Sequence, residues 1–242
     1  MDPNDFPGGV ARMLYEIEQI RRGAGIDLDP RSERIGPFLS PGEIAARFRV
    51  GRTFLVGDAA HRVTPRGGTG MNIALQSGHD IAWKLAWVLQ GWTSPRLLES
   101  YEAERRVVAE HNLVRSTDPD GSRRPVVDEL HVDLGGRVAH AWLPSSQGRV
   151  STLDLIGPGW TLFTGPAAGP RAPFPLPSRA PMAVRGLDPL TARAVGVRGT
   201  GALLVRPDGV AVASWPWMPD PSDLRRAVAS SADRAAPDLV DA

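Results

Sequence analysis

The stretch from Gly51 to Asn72 constrains the fold of this chain more than any other part of the sequence. Apolar-rich residues at 53–56 predict a short buried strand, which the pair Gly57-Asp58 ends. A proline and several glycines follow at 65–70, and a helical pattern begins near Met71. A strand, a glycine-rich loop and a helix N-terminus in this order present backbone N–H groups to an anionic or carbonyl-rich ligand.

Charge and composition exclude several classes of function. The 242 residues include 28 basic and 27 acidic side chains, and a net charge of +1 gives no support for nucleic-acid binding. The absence of cysteine excludes disulfides and thiolate metal sites and fits a reducing cytoplasm. The first residues lack the pattern of a signal peptide, and the longest apolar stretch, near 81–89, is too short to span a bilayer. We therefore expect a cytoplasmic protein without a membrane partner.

Helical patterns dominate the first half of the chain. Apolar residues at helical spacing predict a buried helix from Met71 to Gly91, and the start signal Ser94-Pro95 predicts a second helix over 96–116. A third helix is predicted over 10–23, and a capping box predicts a short one over 40–48. The strand–loop–helix order over these residues is typical of an α/β domain.

The second half of the chain has shorter patterns. Turn-forming residues at 118–127 predict a linker between a domain over 1–117 and a domain over 128–242. Short strands are predicted at 138–143, 152–156, 161–164, 202–205 and 210–214, with a hairpin loop at 206–209 and a helix at 222–229. Strands mixed with a helix predict a small α+β domain, so the fold class is α/β followed by α+β.

The residues alone leave the chemistry of the glycine loop open. Asp58, at the end of a buried strand, is placed either to accept hydrogen bonds from ligand hydroxyls or to cap a turn. Gly68-x-Gly70 lacks the third glycine of a dinucleotide fingerprint, because Ile73 stands there, so the glycines alone favour a flexible turn. For His61 a structural hydrogen bond is favoured over catalysis, and no metal site is predicted.

Four ordered blocks resemble a known family of enzymes. These blocks are 51–62, 65–72, 82–86 and 98–106. Together they resemble the second FAD-binding motif of the aromatic hydroxylases, the NAD(P)H-dependent flavin monooxygenases related to p-hydroxybenzoate hydroxylase. The resemblance is closest to enzymes that hydroxylate phenolic or polyketide rings.

The second half carries a looser resemblance to the same family. Residues 129–136 and 204–209 resemble the thioredoxin-like C-terminal domain of its larger members. The chain has no Cys-x-x-Cys motif, so no redox role follows for this domain.

The resemblance implies specific contacts with FAD. It implies that Asp58 binds a ribityl hydroxyl, that Gly57 permits close approach, and that Pro65 lies beside the isoalloxazine ring. No catalytic residue is implied. The implied cofactor-binding set is Gly57, Asp58, Pro65, Gly67, Gly68, Gly70, Met71 and Asn72. The implied partners are NAD(P)H as co-substrate and a small aromatic or polyketide-like molecule.

The sequence departs from the family pattern in ways that leave alternatives open. No strand with a Gly-x-Gly-x-x-Gly loop and an acidic residue precedes residue 51, and Ser77 and Asp80 stand where the family has aspartate and asparagine. The resemblance is thus to a C-terminal half, which is expected to need another chain for full FAD binding. The alternatives are a protein that binds or cyclises a polyketide without flavin and an interaction module that forms dimers.

Overall fold

A computed structural model describes residues 42–64, 68–118, 136–145, 148–169 and 179–233. All of these residues belong to one compact unit. Several sequence predictions lie outside the described residues: the helix over 10–23, most of the linker over 118–127, and the loop residues Pro65 and Gly67.

Two short antiparallel ribbons open the described part of the chain. Strand β1 (Glu43–Ile44) pairs with β4 (His61–Arg62), and β2 (Arg49–Val50) pairs with β3 (Thr53–Phe54). The helix predicted over 40–48 is therefore wrong in its described part. The backbone there pairs across the ribbon instead, and the Ala45 amide donates to the Ala60 carbonyl at 2.8 Å. Tertiary pairing overrides the local capping signal.

Two long helices form the centre of this half. Helix α1 (Gly70–Leu89) and helix α2 (Ser100–Thr117) are joined through a 3-10 helix, Pro95–Glu99. The predicted start signal is confirmed, because the Ser94 side chain accepts a hydrogen bond from the Arg96 amide. The predicted bounds of both helices are confirmed to within a few residues.

A four-stranded sheet dominates the second half. It consists of β7 (Trp160–Thr164), β8 (Met182–Gly186), β9 (Ala202–Val205) and β10 (Ala211–Trp215), in the order β10-β9-β7-β8. Strands β7 and β8 are parallel, and the other pairs are antiparallel. A separate hairpin precedes the sheet, β5 (Trp142–Ser145) with β6 (Gly148–Ser151), and helices α3 (Pro189–Ala194) and α4 (Pro221–Asp233) complete the described elements.

Both faces of the sheet are covered, and every residue of its central strands β7 and β9 is therefore buried. Leu162 and Leu204 join a core cluster with Trp87 of α1 and Leu224 of α4. Their sequence neighbours point the other way, and Phe163 lies in a second cluster with α3. The strands predicted at 161–164, 202–205 and 210–214 are confirmed.

The strand predicted at 152–156 is wrong. Thr152–Leu155 form a 3-10 helix, which begins at a capping box in which Ser151 and Asp154 exchange side-chain and backbone hydrogen bonds. Strand β8 and helix α3 carried no sequence signal that we used. None of the helices in the described ranges combines the length and apolarity that a bilayer crossing requires.

Candidate functional site

Gly57 lies where the backbone turns sharply in front of α1. Residues Gly57–Ala59 form a 3-10 helix, and Gly57 has φ 59°, a left-handed conformation that favours glycine. A Cβ on Gly57 would stand 3.2 Å from the Cβ of Ala74. The missing side chain therefore brings this turn close to α1. Asp58, next in the chain, is exposed in the same turn.

The N-terminus of α1 lacks a side-chain cap. Gly68 has φ 66°, and Thr69 holds the N-cap position without a side-chain hydrogen bond to the helix. The first turn contains no acidic residue. The amides of Gly70, Met71 and Asn72 belong to the group that an α-helix cannot satisfy internally. They sit at the positive end of a 20-residue helix.

These features test whether the residues present fit a flavin. A flavin offers carbonyl oxygens that gain negative charge on reduction, and ribityl hydroxyls that donate hydrogen bonds. Amides that the helix itself does not satisfy, at its positive end, suit the first group, and the exposed Asp58 carboxylate suits the second. The described residues of the loop thus fit the cofactor. Pro65 and Gly67 are outside the described ranges.

Buried polar side chains near the loop connect strand β4, helix α1 and helix α2 by hydrogen bonds. His61 is buried, and its Nε2 lies 2.8 Å from Ser77 Oγ. The Ser77 hydroxyl donates to the Ile73 carbonyl at 2.9 Å, and Ser77 Oγ accepts a hydrogen bond from Arg105 Nε at 3.2 Å. Because the single hydroxyl proton is used, His61 must donate from Nε2, which assigns the tautomer. This is the structural hydrogen bond expected of His61.

Burial and the charge of Arg105 lower the pKa of His61. The imidazole is therefore neutral near pH 7, in agreement with its donor role toward Ser77. A neutral donor that is locked in place serves to hold strand β4 against α1.

A buried charge network joins α1 and α2 to the sheet. Lys84 Nζ lies 2.8 Å from Asp80 and 3.1 Å from Glu104. Arg206, in the loop between β9 and β10, donates two hydrogen bonds to Glu104 at 2.9 and 2.8 Å and two to Asp208 at 2.6 and 3.1 Å. The arrangement connects parts of the chain 102 residues apart.

The three carboxylates of this network have the spacing of a metal site. Oxygens of Asp80, Glu104 and Asp208 lie within 4.8 Å of one another. Lys84 and Arg206 already bind these oxygens, so the carboxylates are satisfied by protein cations. The cluster is an ion-pair network that fixes helices to sheet.

Two pKa values in the network move in opposite directions. Burial, only partly offset by Lys84, raises the pKa of Asp80 to about 6. Burial also opposes ionisation of Glu104, but Arg206 and Lys84 outweigh it and lower the pKa to about 2. Glu104 is therefore the carboxylate whose negative charge matters most to the network.

Sequence reasoning found only part of this arrangement. Glu102 and Arg106, four residues apart on α2, form an ion pair at 2.7 Å, as their spacing indicates. The same i,i+4 spacing on α1 indicates the ion pair of Asp80 and Lys84.

Two family models match the chain. The first, described as FAD binding domain, matches residues 17–116, and the second, described as aromatic-ring hydroxylase, C-terminal, matches residues 131–235. The FAD prediction is thus confirmed at the level of the family.

Curated relatives give the same result. A putative polyketide hydroxylase of Streptomyces halstedii is 34% identical over 80% of this chain and 42% of its own length. Aklavinone 12-hydroxylase RdmE of Streptomyces purpurascens is 35% identical over 69% of this chain and 40% of its own length. The chain spans less than half the length of these two relatives.

Solved structures share the fold. A ternary complex of aklavinone-11 hydroxylase with FAD and aklavinone matches with a TM-score of 0.63 at 26% identity, over 97% of this chain and 52% of that one. The substrate-free rebeccamycin biosynthetic enzyme REBC matches with a TM-score of 0.58 at 27% identity, over 81% of this chain and 45% of that one. The mixed α/β architecture agrees with these neighbours. With both halves of the sequence matched in order, the chain belongs to the FAD-binding aromatic-ring hydroxylase family.

Proposed function

We propose that this chain forms part of an FAD-dependent monooxygenase that hydroxylates an aromatic or polyketide-like molecule, with NAD(P)H as co-substrate. The observation that carries the proposal is the uncapped N-terminus of α1, against which the turn with the exposed carboxylate of Asp58 packs. The identities and structural likenesses to aromatic and polyketide hydroxylases support it.

In this proposal the loop holds the flavin by its polar edge. The amides of Gly70, Met71 and Asn72 face the pyrimidine carbonyls, where the positive helix end stabilises negative charge. Asp58 accepts a hydrogen bond from a ribityl hydroxyl. Gly57 acts indirectly, because its lack of a side chain lets the Asp58 turn lie against Ala74.

The remaining loop residues take their roles from the family resemblance. Pro65 is proposed to lie beside the isoalloxazine ring, and Gly67 and Gly68 to keep the loop close to the cofactor. When bound, FAD would supply oxygen activation and the transfer of an OH group to an electron-rich ring. The protein's part is to hold the cofactor and to stabilise charge on it.

The organisation of the chain is proposed on the same basis. We propose an FAD-side domain over 1–117, a linker over 118–127 and a thioredoxin-like domain over 128–242. The four-stranded sheet with its parallel β7–β8 pair and the helix α4 support the last assignment. A cytoplasmic location also stays a prediction.

Tight FAD binding is proposed to need residues beyond those assigned here. No Gly-x-Gly-x-x-Gly segment occurs in the sequence, so nothing in it matches the usual site for the adenosine half of FAD. Association with a partner chain that provides this segment, or with a second copy, stays a prediction.

The test is an FAD titration followed by flavin fluorescence and by gel filtration. We expect weak, saturable binding that Asp58→Ala reduces at least tenfold, since a charge-assisted hydrogen bond is worth about 1.5–3 kcal/mol. The matched control is Glu99→Ala, which removes another exposed carboxylate, near the start of α2. Equal affinity of the two variants would contradict the role of Asp58. Product formation without FAD and NAD(P)H would contradict the proposed reaction.

A further inference from the structure

Arg105 is a buried cation that contacts the first half of helix α1. It lies on α2, and only 7% of its surface is exposed. Its Nε donates to Ser77 Oγ at 3.2 Å, and its Nη2 donates to Gln76 Oε1 at 3.3 Å. Both acceptors are neutral side chains of α1. These hydrogen bonds therefore hold the guanidinium in place without neutralising its charge.

The buried charge network described above does not engage Arg105 directly. Its carboxylates form their ion pairs with Lys84 and Arg206, and within the described ranges no ion pair includes Arg105. Burial lowers the pKa of Arg105, and the charges of Asp80 and Glu104 oppose this effect from a longer distance. An arginine remains protonated under such conditions. Arg105 is thus a permanent positive charge that is only partly compensated.

Arg105 lies on the side of the network that faces the N-terminus of α1. Its acceptors Gln76 and Ser77 precede Asp80 by about one helical turn, whereas Lys84 follows Asp80 by about one turn. The carboxylate of Asp80 therefore lies farther along the helix than the guanidinium of Arg105. The network has its positive side toward the proposed flavin loop, in the same sense as the dipole of α1.

His61 gives independent evidence that this positive charge acts near the loop. His61 and Arg105 both contact Ser77 Oγ, at 2.8 and 3.2 Å. After burial, the charge of Arg105 is the larger of the two causes that lower the pKa of His61. His61 follows Asp58 by three residues, so the charge acts on the segment that is proposed to hold FAD.

The distance to the helix end allows a measurable effect on a ligand. Ser77 follows Asn72 by five residues, which is about 7.5 Å along the axis of α1. At about 10 Å and an effective dielectric constant of about 20, one charge changes the affinity for an opposite charge roughly tenfold. Because Asp80 and Glu104 compensate Arg105 in part, we expect an effect of about three- to tenfold.

We propose that Arg105 makes the loop bind reduced, negatively charged flavin more tightly than oxidised flavin. The inference rests on the proposed function, because it concerns the same FAD site. Arg105 acts through its charge, and the amides at the N-terminus of α1 remain the groups that contact the cofactor. A preference for the reduced form makes the bound flavin easier to reduce, since binding shifts the equilibrium toward the form that binds better.

The test compares the dissociation constants of the full chain for oxidised FAD and for FAD reduced with dithionite, measured by anaerobic calorimetry. For the unmodified chain we expect reduced FAD to bind about fivefold more tightly or better. The ratio of the two constants should change less than about twofold between low and high NaCl concentration, because salt screens buried charges only weakly.

Three variants assign the preference to one side chain. Arg105→Gln keeps a hydrogen-bond donor but removes the charge, and it should lower the ratio about threefold or more. Arg105→Lys keeps the charge and should restore most of the ratio, even if it stabilises the fold less well. The matched control is Arg106→Gln, which removes the next cation of α2. That cation is already paired with Glu102 at 2.7 Å, so the control should leave the ratio unchanged.

The possible outcomes separate this inference from the proposed function. Equal affinity of the unmodified chain for the two forms of FAD would overturn the inference without any variant, so the test stands even if a substitution prevents folding. The same conclusion would follow from equal ratios in Arg105→Gln and Arg106→Gln, or from a preference that disappears at high salt. If the unmodified chain bound neither form, the proposed FAD function would fail, and this inference with it.

Discussion

The two halves of helix α1 have opposite surroundings. Its first half leaves large apolar side chains in the open, with Met71 72% and Leu75 66% exposed. Its second half buries Trp83, Lys84 and Trp87 against α2 and the sheet. One continuous helix thus packs its tryptophans and Lys84 into the protein along its second half and leaves Met71 and Leu75 exposed to solvent along its first half. The comparison predicts that large side chains of the second half contribute more to stability than the exposed apolar side chains of the first half, where we propose ligand contact.

The strongest test of this comparison is to remove one large side chain from each half. Trp87→Ala should lower the free energy of unfolding by about 3–5 kcal/mol, because it opens a cavity in the core and removes the hydrogen bond to Pro158. Leu75→Ala should change it by less than about 0.5 kcal/mol. Urea unfolding followed by circular dichroism measures both. Similar losses for the two variants would break the comparison.

The buried charge network allows a second test, in which a buried and an exposed carboxylate on α2 are removed in turn. Glu104→Ala leaves Arg206 and Lys84 buried without their shared carboxylate, so we expect a loss of about 3–5 kcal/mol in unfolding free energy. The control Glu110→Ala removes an exposed carboxylate 4.0 Å from Arg106, also on α2, and should cost less than about 0.5 kcal/mol. A small effect of Glu104→Ala would show that the network contributes little to anchoring.

A comparison of two glycines distinguishes the cost of losing close packing from the cost of a strained backbone conformation. Gly51 and Gly57 have nearly equal φ angles of 60° and 59°, but only at Gly57 would a Cβ meet another residue, Ala74 of α1. Gly51→Ala should cost about 1–2 kcal/mol from the left-handed conformation alone. Gly57→Ala should cost at least that much and also weaken FAD binding, because it moves the Asp58 turn. Thermal unfolding and the FAD titration measure the two effects. If Gly57→Ala leaves FAD affinity at the value of Gly51→Ala, the turn does not position the cofactor.

The free energy of unfolding should depend on pH in a way that reflects the titration of Asp80. Its pKa is raised in the folded state, so its contribution is fully present below about pH 4 and is lost as pH rises through about 6. Glu104 acts in the opposite sense, and its contribution is lost as pH falls through the acidic range toward about 2. Asp80→Asn should therefore flatten the change in unfolding free energy between pH 4 and 7 by about 2 kcal/mol. Denaturant titrations at several pH values measure this, and parallel curves for variant and parent would contradict the assignment to Asp80.

Local signals in the sequence were sufficient for the two long helices. Apolar periodicity predicts α1 and α2, and the Ser94 cap predicts the start of the 3-10 helix that leads into α2, because both signals are local in the sequence. The helix predicted over 40–48 failed for the opposite reason. The structure of these residues is determined by strand pairing between Ile44 and His61, which no local sequence pattern predicts.

The candidate site divides in the same way. The order of strand, loop and helix around Asp58 was legible in the sequence, and the family matches confirm the resemblance that this order carries. The residue roles in FAD binding stay predictions. The ion pair between Glu104 and Arg206 was out of reach, since it joins residues that only the tertiary fold brings together.

The double engagement of Arg206 has a consequence for protein engineering. A chimera that takes its FAD-side segment from one family member and its C-terminal segment from another inherits the two sides of this network separately. Lysine in place of Arg206 would offer a single point of charge where the guanidinium now donates to Glu104 and Asp208 at once. We therefore expect a chimera to be stable when it contains the equivalents of Arg206, Asp208 and Glu104 together. Overall sequence identity between the two parents should matter less.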